Sequence, residues 1–184
     1  YGHIDDEKFI DQIKNAGLEV VGLTNYFAFH EKELFTPDSL YNKLKESGIV
    51  VFPNLEFRLS TQNAKSDLCD YHVIFSPDLA IDKIELFLKN LTVKTKSGKK
   101  LASELTNNEL RQPSLYVEMN DIFEAVEKVD ILDHVFFGFL SRGKGESRSS
   151  IMSEDICNKS DFILHSGNSE RTIVEDFKFW TNPN

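Results

Sequence analysis

Two stretches of this chain share one grammar, and it limits the folds open to the rest. Phe9, Ile10, Ile13 and Ala16 lie at helical spacing behind a capping Asp5 or Asp6, and Gly17 then stops the helix. The aliphatic run Leu18-Glu19-Val20-Val21-Gly22-Leu23-Thr24 follows at once as a buried strand. The pattern returns at Thr36-Pro37, a capping hydroxyl before proline at the first helical position. Leu40, Tyr41 and Leu44 form the apolar stripe, Gly48 ends the helix, and Ile49-Val50-Val51-Phe52 opens the next strand. Helix, glycine, strand, repeated, predicts an α/β fold with a mostly parallel sheet, open or closed into a barrel.

After Pro53 the second strand resumes through Leu55, Phe57 and Leu59, alternating with Glu56 and Arg58. A polar loop over 60–66 leads to the strand Tyr71-His72-Val73-Ile74-Phe75. Ser76-Pro77-Asp78 starts an amphipathic helix carrying Ile84, Phe87, Leu88 and Leu91. Residues 92–118 have little periodicity beyond weak helical spacing at Leu101 and Leu105. Lys94, Lys96, Lys99 and Lys100 cluster there around Gly98 and read as a solvated loop. Ile122, Phe123, Val126 and Val129 mark another helix, followed by the strand His134–Leu140. A polar loop over 141–150, a short helix near 153–158, the strand Asp161–His165 and a last helix with Ile173, Val174, Phe177 and Trp180 complete the pattern.

Composition narrows the functional classes. The 184 residues suit a single domain, and with 40% hydrophobic residues and 15 Phe they form a core rather than a disordered chain. A net charge of −9 argues against broad, salt-driven binding to nucleic-acid backbone, while leaving room for a local basic patch. No apolar run reaches the ~18–20 residues of a membrane span. Two cysteines, Cys69 and Cys157, are too few for a disulfide scaffold and fit a reducing, cytoplasmic setting. The chain begins at Tyr1 without an initiator Met and stops soon after a strong helix, so it is read as a segment of a longer protein, truncated at both ends.

In parallel α/β folds, reactive groups collect at the carboxyl ends of strands. That places Thr24-Asn25-Tyr26 and His30, Glu56, His72, the loop Arg142-Gly143-Lys144-Gly145, and His165-Ser166-Gly167-Asn168 in view. One carboxylate and two imidazoles on separate strands are raw material for a divalent-metal site, since zinc, manganese and iron accept both donor types. Alternation could equally turn Glu56 and Arg58 outward into solvent, and a histidine in a strand is often an ordinary hydrogen-bonded residue. The glycines of the 142–145 loop allow backbone approach to a phosphate and Arg142 and Lys144 supply charge, although the Walker spacing is absent and a plain surface turn has the same composition. No nucleophile elbow and no cysteine beside a histidine supports nucleophilic catalysis.

Ala16-Gly17-Leu18-Glu19-Val20-Val21-Gly22-Leu23-Thr24, then Gly48-Ile49-Val50-Val51-Phe52-Pro53-Asn54-Leu55-Glu56, then His72-Val73-Ile74, resembles the PHP (polymerase and histidinol phosphatase) family over about residues 5–76. Phe162-Ile163-Leu164-His165 is similar to that family's late strand ending in a ligand histidine. The resemblance implies a distorted seven-stranded (β/α)7 barrel, present here as an incomplete segment, with two or three divalent ions (Mn, Zn or Fe) at the strand ends hydrolysing phosphoesters. By position it makes Glu56, His72 and His165 metal ligands and catalytic residues; that Arg142 and Lys144 hold a substrate phosphate is inferred from the composition of their loop and not from a family motif. Nucleic acid is one candidate substrate.

Two departures qualify the resemblance. The family's Thr-Asp-His reads Thr24-Asn25-Tyr26, and its opening Asp-x-His-x-His and closing Asp-x-His would fall outside the chain. The alternative is a degenerate, non-catalytic binding or regulatory module. A fainter likeness, to PHP domains ahead of large bacterial ATPases in DNA-repair or phage-defence settings, implies an attached ATPase domain as partner.

Overall fold

The structure, a computed structural model, describes residues 5–62, 68–140, 156 and 158–164. Its frame is a five-stranded mixed sheet in the order β1-β2-β3-β6-β7, built from β1 (Val20–Tyr26), β2 (Val50–Gln62), β3 (Leu68–Phe75), β6 (Val135–Leu140) and β7 (Phe162–Leu164). A hairpin of β4 (Thr92–Thr95) and β5 (Gly98–Leu101) forms the second sheet. The helices are α1 (Asp6–Asn15), α2 (Leu40–Glu46), α3 (Ile81–Asn90), the single turn α4 (Asn107–Leu110) and α5 (Met119–Val129).

The expected helix ends are formed as the residues dictate. Asp5 caps α1 by accepting from the Glu7 amide, and Gly17 and Gly48 take positive φ of 68° and 82° just past α1 and α2. β2 runs unbroken through Pro53, and hydrogen-bond parity explains why. Even-numbered residues of β2 bond towards β1, as in Val50 N–H to the Glu19 carbonyl and Phe27 N–H to the Glu56 carbonyl. The missing N–H of Pro53 would therefore face β3, and the β2–β3 ladder starts only at Asn54.

The sheet departs from the expected parallel arrangement in one strand. β1 pairs with β2, and β6 with β7, in parallel, whereas β3 is antiparallel to both β2 and β6. The five residues 63–67 between β2 and β3 are too few for a parallel crossover, which takes a dozen or more, so the two strands pair antiparallel. Among the described residues the sheet is open, with β1 and β7 at its edges, and no barrel closes.

The sheet has two unlike faces. Val51, Leu55, Phe57 and Leu59 of β2, Tyr71, Val73 and Phe75 of β3 and Phe137 and Phe139 of β6 are buried in one core with Ile84 and Phe87 of α3 and Ile122 and Val126 of α5. Phe75 meets Phe87 edge-on at 5.4 Å, and Phe123 tilts onto Phe137 at 4.6 Å. On the opposite face Val20, Val50 and Phe136 are exposed, and polar residues begin beyond them. Among the described residues, no helix is long and apolar enough to cross a membrane.

Candidate functional site

The strand register brings the polar residues of the open face into rows. In one row Tyr26, Glu56, His72, Gly138 and Phe162 lie side by side across all five strands. Glu56 and His72 are direct cross-strand partners, so their side chains leave the same face about 5 Å apart at Cβ. The preceding row holds Thr24, Asn54, Ile74 and Phe136. The reversal of β3 does not separate the pair, because His72 reaches Glu56 by register and not by sharing a strand end.

His72 is the anchor of this face. It is 8% exposed, and burial pushes its imidazole below the ordinary value of 6.5, which keeps the ring neutral. The Asn54 side chain, also 8% exposed, faces His72 Nδ1 at 3.1 Å through Nδ2 and 3.3 Å through Oδ1. Asn54 Nδ2 donates to Thr24 Oγ1 at 2.9 Å. With His72 Nδ1 protonated and donating to Asn54 Oδ1, the lone pair of Nε2 remains for a ligand. Asn54 was hidden in the Pro53-Asn54-Leu55 run. The available signal was its parity with Glu56, which puts both on one face of the strand.

Tyr26 occupies the place in this row that the PHP-like pattern gives to a histidine, directly beside Glu56. Phe27 turns to φ +59° immediately after it and is fully buried, its ring edge-on to Phe57 at 5.4 Å. The chain thus leaves β1 towards the core while the Tyr26 phenol stays on the open face, 38% exposed, with the Arg58 guanidinium 5.8 Å from its ring.

The other sequence candidates fall elsewhere. His134 is exposed in the short turn Leu132–His134 that precedes β6, at the opposite end of the sheet from Glu56, and His30 is exposed before the turn Glu31–Phe35. Arg142, Lys144 and His165 lie outside the described residues, as do the expected last helix and most of the short one near 153–158. The chain leaves β6 at Leu140 and β7 at Leu164, partners in the row next to Glu56 and His72.

The donor chemistry suits a divalent ion in type: one carboxylate and one neutral imidazole on a shared face. Among the described residues no third histidine, cysteine or acid completes a cluster with them. Comparison of the chain with protein-family models, curated proteins and solved structures returned no match.

Proposed function

We propose that this face is part of a metal-dependent phosphoesterase site of the PHP type, with a phosphodiester, nucleic acid included, as substrate. The observation that carries the reading is the Glu56–His72 pairing: two residues picked out on separate strands stand as immediate neighbours on one face. In this reading Glu56 and His72 hold a divalent ion (Mn, Zn or Fe), joined by His165 just beyond β7. Arg142 and Lys144, just beyond β6, hold the substrate phosphate. The ion would acidify a water and offset charge on phosphate oxygens. The chain's own contribution is orientation: Asn54 and Thr24 fix the His72 ring, and burial keeps it unprotonated. The open sheet, with helices on one side and Val20, Val50 and Phe136 bare on the other, suits the wall of a larger barrel. An ATPase domain is the partner this reading implies.

A second reading is favoured by one specific observation. Tyr26 stands beside Glu56 where a ligand histidine is expected, which suits a PHP-like module that binds or regulates without hydrolysing.

The two readings separate on metal content of the purified protein together with Mn²⁺-dependent cleavage of a phosphodiester. For the enzyme, Glu56→Gln and His72→Ala each lower metal occupancy and rate at least about ten-fold. Occupancy and rate unchanged in both variants would remove these residues from the mechanism. A metal-free, inactive wild type would leave the binding module.

A further inference from the structure

The segment that looked least structured in sequence extends the open face. β2 continues past the point where β1 stops, and residues 116–118 take over the vacated edge. Val117 N–H donates to the Arg58 carbonyl at 2.8 Å, and Ser60 N–H donates to the Val117 carbonyl at 3.1 Å, making a parallel bridge from Leu59 to Val117. Tyr116 then exchanges both backbone bonds with Lys94 of β4, at 2.8 and 3.2 Å. Lys94 is in turn the cross-strand partner of Lys99 on β5.

Pleat phase follows from these pairings. Val117 and Leu59 are both fully buried on the core side, so Tyr116 and Arg58 point to the opposite face. The side-chain hydrogen bond between Ser60 and Glu118 confirms the phase one row further on. Lys94, opposite Tyr116, shares that face, and Val93, one residue away, is fully buried. The result is a continuous row, Lys99, Lys94, Tyr116, Arg58, Asp70, adjacent to the row of Glu56 and His72.

This row is costly for stability and suited to binding. Like charges placed directly opposite destabilise a strand pair, yet Lys94 and Lys99 are so placed in a chain of net charge −9. Among the described residues neither of them, nor Lys96 at the exposed hairpin tip, has an ion-pair partner, whereas Lys100 is held by Glu109 at 2.6 Å. Half-buried Tyr116 lies between Lys94 and Arg58. Cations flanking an aromatic ring on a sheet surface are what a single strand needs, with phosphates against the charges and a base against the ring.

We propose that Lys99, Lys94, Tyr116 and Arg58 form a track for single-stranded nucleic acid that leads onto the Glu56–His72 row. This names the substrate class of the site proposed above and rests on that reading for the chemistry. Binding itself requires no metal, so the two fail separately.

The test is fluorescence anisotropy of a labelled 20-nucleotide single strand with the full chain in EDTA, across a salt series. Wild type binds the single strand more tightly than a duplex of the same sequence, and affinity falls with salt. Lys99→Glu creates an opposite-charge cross-strand pair with Lys94, so the protein melts no lower than wild type while affinity drops on the order of ten-fold and the salt slope shrinks. Tyr116→Ala weakens binding at least about five-fold with little change in salt slope. Lys128→Glu, exposed on α5, leaves affinity unchanged. No binding by wild type, equal binding by Lys99→Glu, or equal loss with Lys128→Glu would overturn the proposal. Binding that survives in EDTA in a protein without hydrolytic activity would retain the track and discard the phosphoesterase.

Discussion

The ring of Phe162 on β7 lies over Gly138 on β6, so closely that a Cβ built at position 138 would stand 2.1 Å from Phe162 Cε2. Gly138 is also the cross-strand neighbour of His72, so this contact fixes how β7 closes beside the candidate site. Gly138→Ala must push the ring aside and loosen β7, at a cost of about 1–3 kcal/mol in urea unfolding. Phe162→Ala should make the same substitution nearly neutral, because the three atoms nearest the added Cβ all belong to that ring. A Gly138→Ala protein as stable as wild type would mean that the ring does not sit over residue 138.

Asn54 joins Thr24 to His72 across the first three strands. Asn54→Ala leaves a buried imidazole nitrogen without its partner, and the expected loss is about 1–3 kcal/mol. In a double-mutant cycle with Thr24→Val the two effects should fall short of adding, since both residues belong to one network. Simple additivity would show that the Thr24–Asn54 bond contributes nothing.

The pH dependence of stability should carry the mark of His72. Its native value is below 6.5 because burial disfavours the imidazolium. Below pH 6.5 the unfolded chain therefore binds the proton more readily than the native one, and stability falls as pH drops from about 6.5 towards the native value. Above pH 6.5 both states are neutral and this contribution is flat. His72→Gln should flatten the slope in that window, as measured by urea midpoints between pH 7 and 5. An unchanged slope would place the titration on other groups.

How much of this was legible beforehand differs between elements. α1, α2, α3 and α5 could be read because each has an apolar stripe, with glycine stops after α1 and α2, and β1, β2 and β6 are aliphatic or aromatic runs. The direction of β3 was missed because a strand's own residues do not encode its sense. The short connection after Gln62 does, since a parallel pair needs a dozen or more residues between its strands. Glu56 and His72 could be named but not placed together, since their proximity depends on register across that antiparallel pair. Residues 92–118 were opaque for a different reason. β4 and β5 are four residues each, too short for periodicity, and the alternation of Val93 with Lys94 looks like a charged loop until Tyr116 is paired with it.

The base of the lysine hairpin supplies the last prediction. Lys100 Nζ lies 2.6 Å from Glu109 Oε1, and the other carboxylate oxygen accepts from the Thr106 amide at 2.9 Å and its hydroxyl at 2.8 Å. The Lys100 ammonium first, then the two Thr106 groups, hold the Glu109 carboxyl down at about 2. A native value below the ordinary 4.5 gives stabilisation that is complete above pH 4.5 and is lost as pH falls from there towards 2. Amide protection over residues 92–110, taken relative to the unstructured exchange rate at each pH, should therefore fall in that window, and Glu109→Gln should show the lower protection already at pH 7. Because the Lys100 charge is engaged in this anchor, Lys100→Gln should loosen the hairpin by the same measure yet weaken single-strand binding far less than Lys99→Gln, which removes the same single charge. Equal loss of binding in the two variants would mean that the hairpin's total charge, and not the row shared by Lys94, Lys99 and Tyr116, governs recognition.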